Sequence, residues 1–451
     1  MIKEMFTNWK ILKKILYTLG FLLLFRFGTL LTIPGASVED SYNFDQGSFL
    51  GILNILGGGG LATFSIFALG VTPYITASII IQLLSSDVIP PLSRLNKQGE
   101  KGRMKVEKIT RILAIFLAFI QAFSITLALT STGYVFYDGG TAEVVYFVFI
   151  MVVGSMISIW IADQITMKGI GNGTSLIIVF GLLASIPYKL IGAWDVFVGS
   201  IDSNVFIGFV YFAIYIMIAL ITIFILGFFE TSERRLPIQQ TGQGLNLNQE
   251  KQTYLPMKVN PAGVIPVIFA SAIITLPPTI AQFFPDSAGK VWVENHFALT
   301  SWMGITIYAL LIIGFTFFYS QININPEETA ENFQKTSTYI VGVKPGEETR
   351  KYIAKTVNAM SLFGGFVLMI IAILPYLLTH IGIPQSVAMG GTGMIIMVSV
   401  SIDTWDQLKS RVIAERTKQR SGINRKANVK KFGEVKDIKK EKKDNDTLLF
   451  D

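Results

Sequence analysis

Cysteine is absent from the 451 residues, and histidine occurs only twice, at His296 and His380. The first absence excludes disulfides, thiolate metal ligands and cysteine nucleophiles. The second leaves two isolated imidazoles in segments that read as lying outside a membrane core, where a lone loop histidine is ordinarily a solvated side chain. Charge is scarce as well. Only 15% of the residues are charged, against about 25% in a typical soluble domain. With 51% hydrophobic residues and a mean hydropathy of +0.52, a soluble chain would have little polar surface to show water. The composition is that of an integral membrane protein. The start, MIKEMFTNWKILKKILYTLG, lacks a small-residue cleavage site after its first apolar run, so no cleavable signal peptide is expected.

What the chain does have is a series of apolar runs, and a helix needs ~20 such residues to cross a bilayer. Runs lie at about 15–33, 112–129, 144–162, 175–188, 205–229, 302–322, 357–378 and 387–402. Two more are broken. In GGGGLATFSIFALGVTPYITASIIIQLL, Gly57 to Leu84, a piece from Leu61 to Leu69 is separated by Gly70 and Pro73 from a second piece, Tyr74 to Leu84. The run Pro261 to Ile280 carries Gly263, Pro266, Pro277 and Pro278. A broken segment survives at membrane depth only where protein or a wet cavity satisfies the freed backbone. Both breaks therefore read as lining something wet, with a kinked structural helix as the plain alternative.

Counted together these are ten spans in two sets of five, the second member of each set being broken. Matching interruptions in two halves point to an inverted repeat with its pathway at the repeat interface. The expected fold is an all-α integral membrane protein with ten transmembrane helices in two pseudo-symmetric inverted halves, 15–200 and 201–408. Residues 1–14, with Lys3, Lys10, Lys13 and Lys14 among Met5, Phe6, Trp9, Ile11 and Leu12, fit either an amphipathic helix on an anionic membrane surface or a solvated lead-in. Residues 409–451 form a Lys-rich tail, and loops 230–258 and 324–356 are longer and more charged than linkers require.

Charge placement sets the orientation. Of the 38 Lys and Arg, all but Arg26, Lys189 and Lys290 fall in the termini or in the loops after even-numbered spans. By the positive-inside rule both termini and those loops are cytoplasmic. Arg26 lies within the first span, where an unpaired charge costs at least ~2.5 kcal/mol.

Two classes of function compete on these residues. An ion-coupled transporter of a small solute needs ionisable groups near the midplane, yet Asp163, Glu230, Asp403 and Asp406 sit at cytoplasmic ends of spans. An intramembrane protease would need paired Asp, a buried His or a Ser with its base, and none lies at depth. A passive channel, not an enzyme and without cofactor or metal, fits best. The glycine-rich GIGNG, Gly169 to Gly173, is no phosphate fingerprint, because no strand precedes it and no βαβ unit surrounds it.

The run SIFALGVTPYITASIIIQLL, residues 65–84, resembles the plug and second transmembrane helix of the SecY family, the channel subunits of bacterial protein translocons. FRFGTLLTIPG, GIGNG, NPEETAENFQ and VGVKPGEETRKYI extend the likeness across most of the chain. The resemblance implies a channel in the bacterial plasma membrane that conducts unfolded secretory proteins and releases transmembrane helices laterally into lipid. It implies a plug within 57–70, formed by Leu61, Ala62, Thr63, Phe64, Ser65, Ile66, Phe67, Ala68 and Leu69. The implied pore constriction falls on Ile75, Ile79, Thr174, Ile178, Ile268 and Ile396, Thr174 departing from the family's apolar habit. Ile75 and Ile79, four residues apart, share one helix face, and an apolar ring dewets against ions while yielding to a peptide. Gln82, Gln121 and Ser271 are polar residues at plausible depth for a lateral gate, or simply tolerated packing residues. Arg234, Arg235, Lys344 and Arg350 fall in the loops with which the family docks the SecA motor and the ribosome, Lys344 standing where an arginine is usual. Implied partners are SecE-like and SecG-like small membrane subunits, SecA, the ribosome, signal sequences with their nascent chains, and membrane lipids.

Overall fold

The computed structural model of the chain describes residues 8–38, 48–85, 90–131, 133–136, 140–199, 205–240, 254–284, 287–380 and 391–417. Most of the expected basic tail, residues 1–7 of the amphipathic lead-in, the middle of the 230–258 loop and the first residues of the tenth span lie outside them.

Helices dominate because backbone N–H and C=O groups in a long apolar run find no water in a membrane, and a helix satisfies them within one segment. The N-terminal set is α1 (Trp9–Leu30), the short α2 (Phe49–Leu56), α3 (Thr72–Ser85), α4 (Pro90–Lys97), α5 (Glu100–Ser131), α6 (Thr141–Lys168) and α7 (Gly173–Trp194). The C-terminal set is α8 (Val205–Thr231), α9 (Ile265–Ile274), α10 (Leu276–Ala281), α11 (Ala288–Phe297), α12 (Trp302–Asn323), α13 (Pro326–Lys335), α14 (Glu347–His380) and α15 (residues 391–417). Among the described residues, six helices are long and apolar enough to cross a membrane. The helices of the two broken runs, Thr72–Ser85 and Ile265–Ala281, are shorter but equally apolar. Phe206, Phe224 and Phe228 on α8 are more than 70% exposed, a surface that lipid accommodates and water does not.

The structure corrects the sequence reading in three places. Residues 100–111, read as part of a basic loop, are the first three turns of α5; their Glu, Lys, Arg and Met are strong helix formers and continue the helix beyond its apolar stretch. The chain is not purely helical. Strands β1 (Ser37–Val38) and β2 (Val135–Phe136) pair antiparallel, as do β3 (Glu233–Gln240), β4 (Tyr254–Lys258) and β5 (Thr338–Ile340) in the order β4-β3-β5. The first half of β3 pairs with β4, Glu233 opposite Lys258, and its second half with β5, Ile238 opposite Ile340. The described parts of the two long charged loops thereby join over a small core of Leu236, Met257, Ile340, Ile353 and Val357.

The third correction concerns Leu61 to Leu69. It contains only a 3-10 turn, Gly60–Thr63, while the α-helix of this region lies upstream, at α2. The turns are knitted into the N-terminal half. Ile66 donates its backbone N–H to Leu31, Ile33 donates to Phe64, and the Thr63 hydroxyl donates to the carbonyl of Thr29 at 2.6 Å. Ser155 on α6 holds the Gly70 carbonyl at 3.0 Å. Leu61, Phe64, Ala68 and Leu69 are buried with Ile33 and with residues of α5 and α6. Gly70 (φ +51°) lies against the Gly57 backbone with no room for a side chain.

Candidate functional site

A second and larger core joins the two sets of helices. In it five of the six residues implied as a constriction come together: Ile75 and Ile79 from α3, Ile178 from α7, Ile268 from α9 and Ile396 from α15. Each is at most 7% exposed. Val71, Ile177, Val267, Ile274 and Ile395 belong to the same cluster. Thr174 does not. Its N–H and hydroxyl both donate to Asn172 Oδ1, at 3.1 and 2.6 Å, in the N-terminal cap of α7, where a polar oxygen satisfies an orphan donor.

Two cavities border the helices of this apolar zone. One, of about 880 Å³, is lined by Ser78, Gln82, Ser85, Arg103, Glu107 and Asn325, among others. The other, of about 580 Å³, lies between α2 and the later turns of α7 and is lined by Asn54, Gly59, Gly181, Ser185, Lys189 and Asp195, among others. Helix α2 sits beside the apolar zone, with Ile52 and Leu56 in the same core as the isoleucines. Asn54 Oδ1 accepts the backbone N–H groups of Leu61 and Ala62, each at 3.2 Å, which orders the linker behind it. A side chain on Gly181 of α7 would run into the Gly58 backbone.

The implied gate residues are placed as follows. Gln82 donates to Ser78 on its own helix at 3.2 Å and faces the larger cavity. Ser271 donates to Val267 on its own helix and meets the hydroxyl of the fully buried Tyr308 at 3.1 Å. Tyr308 in turn meets Thr392 at 2.9 Å, so the hydroxyls join α9, α12 and α15. Gln121 is 1% exposed, and its Oε1 accepts no hydrogen bond among the described residues. The polar bond that does run between α5 and α10 is Ser124 Oγ to the Thr279 carbonyl, 2.9 Å, beside Phe123 stacked on Phe283. Ser124 went unread although it sits three residues after Gln121, on the same helix face.

Glu230, read as a span-end residue, is 5% exposed. It accepts from Ser399 at 2.7 Å and from Asn260 at 3.2 Å, tying α8 to α15 and to the turn before α9. Nearby, Lys258 Nζ lies 3.1 Å from Asp403 and 3.9 Å from Asp406. Burial is the strongest single influence and works against the Lys258 ammonium, but the carboxylates of Asp403, Glu230 and Asp406 together outweigh it and hold the pKa above the usual lysine value. Arg111 bridges Glu107 at 2.6 Å and Asp163 at 2.9 Å, joining α5 to α6. Arg26 donates to Thr29 on its own helix at 3.3 Å. Arg234, Arg235, Lys344 and Arg350 are all exposed on or beside the β3–β5 unit, Arg235 lying over the Tyr254 ring at 4.7 Å and Arg350 pairing with Glu347. No group of three or more His, Cys, Asp or Glu placed to hold a metal occurs among the described residues.

Apolar helices that share one buried core, with Ile75, Ile79, Ile178, Ile268 and Ile396 in it and two cavities beside it, make a multi-pass membrane protein. The comparisons with known proteins agree. Residues 65–405 match the family model described as SecY. The chain is 44% identical over 426 residues to the protein translocase subunit SecY of Mycoplasma capricolum, covering 90% of this chain and 88% of that one. It is 39% identical to that of Staphylococcus epidermidis, covering 92% and 97%. Among solved structures, one described as a protein conducting channel superposes with a TM-score of 0.66 at 18% identity, over 89% of this chain and 93% of that one. Sec61 in a canine ribosome-channel complex from the endoplasmic reticulum gives a TM-score of 0.62 at 17% identity, with the same coverage. The chain belongs to the SecY family.

Proposed function

We propose that the chain is the central pore subunit of a Sec translocon in a bacterial plasma membrane, conducting unfolded secretory proteins across and releasing transmembrane helices sideways. The observation that carries this reading is that Ile75, Ile79, Ile178, Ile268 and Ile396 all lie buried in the one core that joins helices of both sets, beside the two cavities. An apolar constriction excludes ions by dewetting and opens without breaking strong bonds. The ion-coupled transporter reading loses ground at the same place, since this core offers alkyl groups where a coupling ion needs oxygen ligands.

In the proposed architecture ten spans form two inverted halves, 15–200 and 201–408, with both termini cytoplasmic. The plug comprises α2 and the glycine linker Gly57 to Gly60 as its displaceable part, with Leu61 to Leu69 as the anchor that retains it. The lateral gate lies where α3 and α5 face α9 and α10, with Gln82, Gln121 and Ser124 on one side and Thr279 on the other. The exposed Arg234, Arg235, Lys344 and Arg350 offer a cationic docking face to the SecA motor or the ribosome. SecE-like and SecG-like subunits complete the assembly.

The test uses photo-crosslinking amino acids at Ile79, Gln82 and Phe224 in membranes carrying a stalled secretory chain. Capture at positions 79 and 82 but not at 224, on the exposed face of α8, is the expected result. Capture at 224 alone would place the path outside the bundle and overturn the reading.

A further inference from the structure

The core that holds the isoleucines is built of apolar side chains, yet three hydroxyls meet inside it. Tyr308 of α12 is fully buried, and Ser271 of α9 and Thr392 of α15 are 2% and 4% exposed. Buried hydroxyls elsewhere in the spans, such as those of Thr76, Thr126 and Thr316, fold back on their own helix. Tyr308 is different. Among the described residues its hydroxyl bonds only side chains of two other helices, Ser271 at 3.1 Å and Thr392 at 2.9 Å.

Each hydroxyl carries one proton, and that sets the direction of the relay. Ser271 donates its own to the Val267 carbonyl at 2.8 Å, so it accepts from Tyr308. The Tyr308 oxygen in turn accepts from Thr392. The relay therefore runs from α15 through α12 to the backbone of α9. Its two ends stand beside the proposed constriction. Val267 immediately precedes Ile268, and Ile396 follows Thr392 by four residues, about one turn along α15. Tyr308 belongs to the same cluster as both isoleucines, as do Ile305 and Ile312 on either side of it along α12.

A phenylalanine would fill nearly the same space, so volume does not account for the hydroxyl. Alkyl contacts are non-directional and leave the spacing of two helices soft. A hydrogen bond prescribes a distance and an angle, and linked bonds in a low-dielectric core reinforce one another.

We infer that Tyr308 is a positioning residue for the constriction, its hydroxyl fixing the spacing of α9 and α15 so that Ile268 and Ile396 close the same gap. The inference rests on the channel reading above.

Tyr308→Phe keeps the ring and removes the link. In planar bilayers carrying the reconstituted complex, its resting ion leak should rise several-fold above wild type. Thr392→Val cuts the same link from α15 and should leak likewise, whereas Thr392→Ser keeps a hydroxyl and should restore tightness. A triple variant, Ser271→Ala/Tyr308→Phe/Thr392→Val, separates positioning from mere satisfaction of polar groups. It leaves none of these hydroxyls unpaired, so its melting temperature should return to that of wild type, while the leak should persist. A triple variant both stable and tight would show that the hydroxyls only satisfy one another, and would overturn the inference. Ile396→Asn keeps this outcome apart from the channel reading. If it leaks while Tyr308→Phe and Thr392→Val stay tight, the positioning role alone falls. If none of the three leaks, the constriction falls and the role with it. Should Tyr308→Phe fail to assemble, the two Thr392 variants decide, tightness in Thr392→Val being the refuting result.

Discussion

The Ser124 hydroxyl on α5 donates to the Thr279 carbonyl on α10 across the seam between the two helix sets, at 2.9 Å. The carbonyl is available because α10 ends at Ala281 and the Phe283 N–H turns back to Ile280 instead. A hydrogen bond between membrane helices is worth ~0.6 kcal/mol in measured cases, enough to bias a closed seam and too little to lock it. Ser124→Ala is expected to relax the channel modestly, so that precursors with weakened signal sequences are exported more efficiently while assembly is unchanged. An export assay comparing intact and weakened signals reads this directly; no gain for the weakened signal would count against the bond as a gate element.

Gln121, one helical turn earlier, works in the opposite sense. Its buried, unpartnered Oε1 carries a desolvation cost of ~1–3 kcal/mol in the closed state. Gln121→Met removes that cost with little change in volume, so the closed channel should gain stability and discriminate more sharply. The expected readout is slower export of precursors with marginal signal sequences and a higher melting temperature of the purified complex. A looser channel would refute the argument.

The proposed isoleucine constriction makes the sharpest prediction. Ile79→Asn or Ile396→Asn places an amide at a site now 1% or 0% exposed, and a buried amide invites water. Both variants should conduct ions at rest in planar bilayers and accept precursors lacking a functional signal sequence. Wild-type tightness in both would dismiss the ring.

Gly181 on α7 lies against the proposed plug at its glycine linker. Since a Cβ there collides with the Gly58 backbone, Gly181→Ala should push the linker away from α7 and raise the resting ion leak, with the melting temperature little altered. Unchanged conductance would mean that the linker's seat on α7 plays no part in sealing.

Lys344 is exposed and its carbonyl accepts the Thr349 hydroxyl. An exposed ion pair contributes ~1 kcal/mol or less, so Lys344→Glu should leave expression and assembly intact. If the residue is desolvated against a docked motor, losing its charge costs ~2–5 kcal/mol at that contact. Motor-driven import should then fall sharply in Lys344→Glu and persist in Lys344→Arg. Normal import by the Glu variant would exclude this loop from docking.

The spans were legible because membrane insertion writes itself in long apolar runs, and the two breaks because Gly and Pro are visible punctuation. The isoleucines were legible only through a family resemblance, since nothing in an isoleucine's neighbours says whether it faces lipid, core or pore. What escaped was set by partners far along the chain. Glu230 is a span-end acid by position, and only Ser399, 169 residues away, makes it a buried anchor. Ser271 and Gln82 looked equivalent, but Tyr308 claims the first for the α9–α12–α15 group. Helix α2 was missed because its eight residues are too few to show a period against apolar neighbours. The strands were missed because the apolar face of Glu233 to Gln240 is only Leu236 and Ile238, with Pro237 between them reading against a strand, and the strand needs both partners to form.

That double pairing of β3 has a mechanical consequence. One strand paired on both sides, by β4 from its own loop and by β5 from a distant one, ties the end of α8 to the start of α14, and the turn leading into α9 follows directly from β4. A load applied at Lys344 and one applied at Arg234 then arrive as the same torque. A partner docked at Lys344 and one docked at Arg234 would therefore load the same sheet.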